Sequence, residues 1–220
     1  IFNSFERNEL FYFKTFITLK FEVTEMNGFE RRKALKKTNI LEAALSLFMK
    51  YGVQKVSVAE IAEQANVSQV TIYNYFESKD NLVKEVIIYF VNKVWEEYEQ
   101  LFASDKPFPE KVKGIIFDKK MIANQINEDF FSYFMKEYMR EDSYIKQFYT
   151  EKTLPGLIKL FHEGKEQGYI DKTLSDKAIL LYTQMFADYM RREDVYERVL
   201  PLTEDLTKIF FYGVAGKNEP

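Results

Sequence analysis

The chain contains no cysteine and a single histidine, His162, in 220 residues. Without cysteine there is no disulfide framework, no thiolate nucleophile and no cysteine-based zinc site. One histidine cannot build a multi-histidine metal centre, so neither a bound metal nor a transition-metal effector is expected. Only 8 glycines and 5 prolines are present, which points to long helices rather than many tight turns. Strand-like alternation, internal repeats and low-complexity tracts are all lacking. No stretch approaches the roughly 18 uninterrupted apolar residues of a membrane span. The aromatic segment "LFYFKTFITLKF" (10 to 21) is broken by Lys14 and Lys20 and has no small-residue cleavage site. Missing export signals and missing cysteines together predict a cytoplasmic protein. The chain also has no G-x-x-x-x-G-K-[ST], no G-x-S-x-G and no usable histidine pair. The acidic triplets "NED" and "RED" fall where helix ends and loops expect charge. No catalytic residue and no cofactor are therefore expected.

What the chain does have is apolar content and an uneven charge. Hydrophobic residues make up 46 %, ample for a core, and aromatic residues 17 %. The net charge is −3, so this is not a globally basic nucleic-acid binder. Residues 26 to 79 nevertheless hold 8 Lys and Arg against 5 Asp and Glu, whereas residues 80 to 220 hold 20 against 25. The positive charge concentrates in "RRKALKK" (31 to 37), which allows one anion-facing surface on an acidic body. Met26 stands just before that run. Residues 1 to 25 fit nothing that follows and are read either as a start-site extension ahead of Met26 or as a genuine extra helix or partner-binding arm.

Helical periodicity organises the rest into an all-α chain. A helix is expected over 31 to 51, with Ile40, Leu41, Ala44, Leu45, Leu47 and Phe48 on one side. Gly52 suits a left-handed C-terminal cap. Ser57 and Glu60 form the S-x-x-E pattern of a capping box, in which each side chain satisfies the other's free backbone donor. A short helix follows until Asn66, a residue that tolerates positive φ. Ser68 can cap a third helix, whose buried face is Ile72 and Phe76, and Ser78 can cap a long fourth helix over about 79 to 103. Further helices are expected at 110 to 126, 128 to 140, 144 to 166, 175 to 191 and 202 to 214.

Helix, tight turn and helix with a fixed apolar angle is a helix-turn-helix. The third helix shows polar groups that its own packing does not need. Val70 and Asn74 point away from Ile72, Thr71 and Tyr73 flank them, and Gln69 lies at the N-terminal tip. Gln and Asn can pair with adenine edges, and Val and Thr methyls can meet thymine methyls. The hydroxyls of Tyr73 and Tyr75 can reach phosphates, as can Lys79 at the start of the fourth helix. Lys33 and Lys37, with Arg31, Arg32, Lys36 and Lys55, would neutralise phosphates.

Residues 33 to 80 resemble the DNA-binding domain of the TetR family of bacterial transcriptional regulators. The resemblance rests on "ILEAALSLFMKYGVQKVSVAEIAEQANVSQVTIYNYFESKDNL", with its "YG" and "TIYNYF" and the "SK" that follows. One departure is Asn66, where glycine is common. In "VSV" (56 to 58) Ser57 is the main polar candidate at the start of the second helix, and Ser68 joins it in the DNA-facing set. The resemblance implies an N-terminal DNA-binding domain over 26 to 80 and a helical effector-binding and dimerisation domain over 81 to 220. It implies a homodimer on a palindromic operator. Ala178, Leu181, Met185 and Tyr189 would pair there with Leu206, Ile209 and Phe210. It also implies a pocket for a small apolar or aromatic effector, lined by Trp95, Tyr98, Phe117, Phe130, Phe134, Tyr138, Phe148, Tyr182 and Phe186. The same aromatic residues would serve equally as ordinary core. Repression relieved by ligand is the expected outcome. The rival is a helical relative acting through a protein partner without operator binding.

Overall fold

The computed structural model describes residues 28–190 and 195–215. The extension over 1 to 25 lies outside the described residues. Every regular element described is helical. The chain runs α1 (Gly28–Tyr51), α2 (Val58–Gln64), α3 (Gln69–Phe76), α4 (Lys79–Ala103), α5 (Phe108–Gln125) and α6 (Glu128–Met139). It continues through α7 (Tyr144–Phe148), a π-helical turn (Tyr149–Thr153), α8 (Leu154–Glu166), α9 (Asp176–Met190), α10 (Tyr196–Val199), a 3₁₀ turn (Leu200–Leu202) and α11 (Thr203–Ala215). None of the described helices is long and apolar enough to cross a membrane.

The first four helices end where their local chemistry dictates. Gly52 closes α1 at φ +84° and its N–H donates to the Phe48 carbonyl at 3.0 Å. The capping box at α2 is complete: the Glu60 N–H donates to Ser57 Oγ at 3.2 Å and the Ser57 N–H to Glu60 Oε2 at 2.7 Å. The Ser57 hydroxyl and the Ser57 N–H, both donating to Glu60 Oε2, hold the Glu60 carboxyl below the usual carboxylate range. Ser68 and Ser78 accept from the N–H of Thr71 and Asn81, each at 3.1 Å. Asn66 takes the positive φ, 52°, that its turn needs. Glu77 also sits at φ +64° between α3 and α4, a strained position for a residue with a Cβ.

Two apolar clusters hold the chain together. The first gathers Ile40, Phe48, Ile61, Ile72, Phe76, Leu82 and Val86 from α1 to α4, and extends to Ile126, Phe130 on α6 and Ile145 on α7. The second packs Phe108, Val112 and Ile115 of α5 against Leu160 and Phe161 of α8 and Phe211 of α11. Lys111 is buried beside this second cluster, and its ammonium is satisfied. It donates to the Phe102 carbonyl at 2.9 Å and to both oxygens of Glu163, at 2.9 and 2.8 Å. Such pairing is what a buried cation requires.

The segment expected as one helix over 144 to 166 is interrupted. A single π-helical turn at Tyr149–Thr153 separates α7 from α8, adding slack to the helical register. The short α10 is a further element that the periodicity does not announce.

Candidate nucleic-acid interface and cavity

Helix α3 is pinned from below and open above. Ile72 and Phe76 are 1 % and 3 % exposed, whereas Val70 is 67 % and Tyr73 46 % exposed. Gln69 and Asn74 are exposed as well, and Thr71 is half-buried. The Ser68 hydroxyl is taken up by Thr71, with which it shares a 2.9 Å hydrogen bond besides capping the helix. The exposed side chains thus form one polar and methyl-bearing surface on a rigidly seated helix.

Cations flank this surface. Arg31, Arg32, Lys33 and Lys36 are exposed along the start of α1. Lys37 is partly engaged, since its ammonium donates to Glu85 of α4 at 2.8 Å. Two of the expected phosphate contacts have their polar ends occupied within the domain. The Tyr75 hydroxyl donates to the Lys33 carbonyl at 3.2 Å. The Lys79 ammonium donates to the Val53 carbonyl at 2.7 Å, where it ties the start of α4 to the turn after α1. Ser57 is exposed, with its hydroxyl donated to Glu60 Oε2 at 2.7 Å.

Behind this unit lies a cavity of about 460 Å³ between α4, α5, α6, the α7–α8 segment, α9 and α11. Such a volume falls in the range of small-molecule sites. Of the expected lining, Trp95, Tyr98, Phe134, Tyr138 and Phe148 are there. Two expectations are corrected. Phe130 is 0 % exposed and faces the first apolar cluster, with its ring stacked on Phe48 at 6.1 Å. Tyr182 is 40 % exposed and stacks on Phe210 at 5.7 Å on the outer side of α9. The side chains of Phe117 and Phe186 lie outside those described. In the other direction, Phe210, expected at a dimer seam, lines the cavity.

The environment of the cavity shifts two neighbouring groups. Burial, with Asp118 next in importance, raises the Glu97 carboxyl to about 7. Burial also raises the Tyr98 phenol, aided by Asp118 and Glu97, so this hydroxyl stays neutral.

Helix α6 connects cavity and reading unit. Phe131, Phe134, Met135 and Tyr138 look into the cavity. From the N-terminal end of the same helix, Asp129 Oδ2 accepts the Gln54 N–H at 2.9 Å. A Cβ on Gly52 would stand 2.7 Å from Asn127 Oδ1 and 2.9 Å from Asp129 Oδ2. The turn after α1 and the cap of α6 are therefore in direct apposition. Helix α4 makes the second connection, running from its cap beside α3 to Trp95 and Tyr98 in the cavity wall.

The outer faces of α9 and α11 are apolar and uncovered. Leu181, Met185 and Ile209 are each more than 60 % exposed, and Tyr189 and Tyr212 more than 50 %. Ala178 is exposed beside them and Leu206 half-buried.

Comparison with known proteins agrees with this geometry. Residues 40–86 match the family model of bacterial regulatory proteins, tetR family. The HTH-type transcriptional repressor KstR2 of Rhodococcus jostii is 29 % identical over 72 residues, 33 % of this chain and 35 % of that protein. The HTH-type transcriptional regulator LuxR of Vibrio harveyi is 38 % identical over 58 residues, 26 % of this chain and 28 % of that one. The first curated relatives are thus matched over only 35 to 43 % of their own length. Among solved structures, the TetR transcriptional regulator SCO0520 of Streptomyces coelicolor superposes with a TM-score of 0.54 at 17 % identity, covering 82 % of this chain and 99 % of that one. FadR of Bacillus subtilis, solved in complex with stearoyl-CoA, gives 0.52 at 19 % identity, covering 80 % and 98 %. These likenesses extend the shared fold through the C-terminal helices.

Proposed function

The chain belongs to the TetR family of transcriptional regulators, and from that premise we propose that it is a homodimeric repressor. It reads a palindromic operator through α3 and releases it when a small apolar molecule fills the cavity. The observation that carries this reading is the α3 surface: Gln69, Val70, Tyr73 and Asn74 stand exposed on a helix seated by Ile72 and Phe76. Gln69 and Asn74 address base edges, Val70 and Thr71 address methyl groups, and the cations of α1 address phosphates. Lys79 and Tyr75 contribute by holding the unit in shape as much as by contact.

A single recognition helix covers too few base pairs to select one site. The uncovered apolar faces of α9 and α11 supply a partner surface for a second copy. Two copies related by a two-fold axis present their α3 helices about one DNA turn apart, on the order of 34 Å.

Release follows from the two helices that touch both ends. Ligand in the cavity presses on α4 and α6, and α6 meets α1 through Phe130 and the turn after α1 through Asp129. A coupling of about 1–3 kcal/mol is enough for a switch of this kind. The mostly apolar lining favours an apolar effector. The fold neighbour from Bacillus subtilis holds stearoyl-CoA, which supports an elongated acyl body as one such molecule.

The test is a selection of bound duplexes from a random DNA pool at about 150 mM salt, where non-specific phosphate binding is weakened. A palindromic consensus is expected. A winning pool indistinguishable from the starting pool would remove operator binding and leave the protein-partner reading in its place.

A further inference from the structure

The cavity wall has one anomaly. Along α5, Ile115, Ile122, Ala123 and Ile126 face the cavity, and the position between them on the same stripe is Lys119. A lysine at the centre of an apolar stripe is out of pattern. It is the only charged residue in the described lining. Thr183 and Thr207 donate their protons to their own helices, to the Ile179 carbonyl at 2.8 Å and the Thr203 carbonyl at 2.6 Å.

Two other lysines of α5 are paired. Lys111 is paired with Glu163 at 2.8 Å and Lys120 with Glu204 at 2.7 Å. Among the described residues, Lys119 has no such partner. Glu97 and Asp118 stand beside Tyr98 but are not part of the lining. Burial alone lowers the affinity of the Lys119 ammonium for a proton. Lys119 is exposed, and part of the surface it offers is cavity wall.

An unpaired ammonium on an otherwise apolar wall is the group that an entering anion would meet. We propose that the effector of this cavity is a mono-anionic amphiphile, an organic acid whose carboxylate pairs with Lys119 and whose apolar body fills the aromatic chamber. This rests on the reading of the cavity as the effector site and makes its ligand chemistry specific. A coenzyme A thioester suits the cavity less well. It has used up the carboxylate, and its phosphates ask for several cations where the described lining offers one.

The chain carries its own reporter, because its only tryptophan, Trp95, lines the cavity. Tryptophan emission of the full chain is titrated with decanoate, decan-1-ol and decanoyl-CoA, in the native protein and in Lys119→Met and Lys119→Arg. Decanoate should bind the native protein about tenfold or more tighter than the alcohol, the usual worth of a charge-assisted hydrogen bond. Lys119→Met should abolish that preference while still binding the alcohol, and Lys119→Arg should keep it. Equal binding of acid and alcohol, an acid preference that survives Lys119→Met, tighter binding of the thioester than of the acid, or no binding by any of the three overturns the inference. Operator release, measured in parallel, separates the two readings. Decanoate bound through Lys119 without release sinks the effector role alone. Release by the alcohol as readily as by the acid sinks the charge assignment alone.

Discussion

The rings of Phe48 and Phe130 stack with centroids 6.1 Å apart, joining the first helix of the reading unit to the helix that walls the cavity. Both residues are 0 % exposed. Phe130 therefore belongs to the core of the helix-turn-helix unit although it lies 54 residues beyond Phe76, the end of α3, in the wall helix. Phe130→Ala should cost about 3–5 kcal/mol of stability, as for other fully buried phenylalanines. Urea unfolding measures this, and a loss below about 1 kcal/mol would show that the contact is not the junction described.

Gly52 tests the same junction from the backbone. Its φ of +84° and the 2.7 Å approach of a Cβ to Asn127 Oδ1 leave no room for a side chain. Gly52→Ala should destabilise by about 1–3 kcal/mol and weaken operator binding, because the turn after α1 must move off α6. Unchanged melting and unchanged affinity would sink the coupling through this turn.

Base reading and phosphate binding should separate by mutation. Gln69→Ala or Asn74→Ala should lose roughly 1–3 kcal/mol on the preferred operator and relax discrimination at one position, while Lys33→Ala should weaken all sequences alike and lower the salt slope. Competition binding against single-base variants of the operator decides. One sequence-independent loss shared by all three variants would mean that the roles are wrongly assigned.

The apolar seam makes a prediction about assembly. Leu181 and Met185 lie four residues apart on α9, 63 % and 62 % exposed. Leu181→Glu with Met185→Glu should place charges in the seam and yield monomers by sedimentation, with palindromic operator binding lost. A native protein that sediments as a monomer would refute the seam at once.

Glu97 sets a pH dependence. Its carboxyl is raised in the folded state to about 7, from an ordinary value of 4.5, by burial and by Asp118. A raised carboxyl binds its proton more tightly when folded, so its contribution is fully present below about pH 4.5 and is lost as pH rises through about 7. The group is partly exposed, so solvent screening reduces the loss to on the order of 1 kcal/mol. The native-minus-variant stability difference for Glu97→Gln, measured by urea unfolding, should therefore fall as pH rises across that window. Glu204 acts in the opposite sense and lower, since hydrogen bonds from Lys120 and Lys208 depress it to about 2. Its contribution is present above 4.5 and fades as pH falls toward 2, so the two windows do not overlap.

Much of the reading unit is legible in the sequence because its signals are local. Ser57, Ser68 and Ser78 cap helices through residues three positions away, and Asn66 and Gly52 declare their turns by their own backbone freedom. The span of α4, 79 to 103, follows from uninterrupted periodicity. Where the sequence falls short, the missing information is tertiary. An aromatic stripe says that a face is buried, not which neighbour buries it. Phe130 consequently reads as cavity lining but packs on Phe48, and Phe210 reads as seam but lines the cavity. Tyr75 and Lys79 have the chemistry of phosphate ligands, and only the fold brings the Lys33 and Val53 carbonyls within their reach. Lys119 does carry a local signal, a cation on the stripe of Ile115, Ile122 and Ile126. Nothing in the sequence tells such a lysine from one that snorkels to water.

The apolar cluster that includes Ile126, Phe130 and Ile145 along with the helix-turn-helix residues bears on how such a protein can be recombined. A reading unit with a private core could be spliced onto any sensor and keep its shape. Here a cut after residue 80 would strip Leu82, Val83, Val86 and Ile87 as well as the α6 and α7 contributions from one shared interior. Grafting this operator specificity onto another scaffold therefore means transplanting the exposed side chains of α3, not the domain. Conversely, sensors exchanged into this chain must bring a residue that fills the place of Phe130, or the head they are meant to control will not hold together.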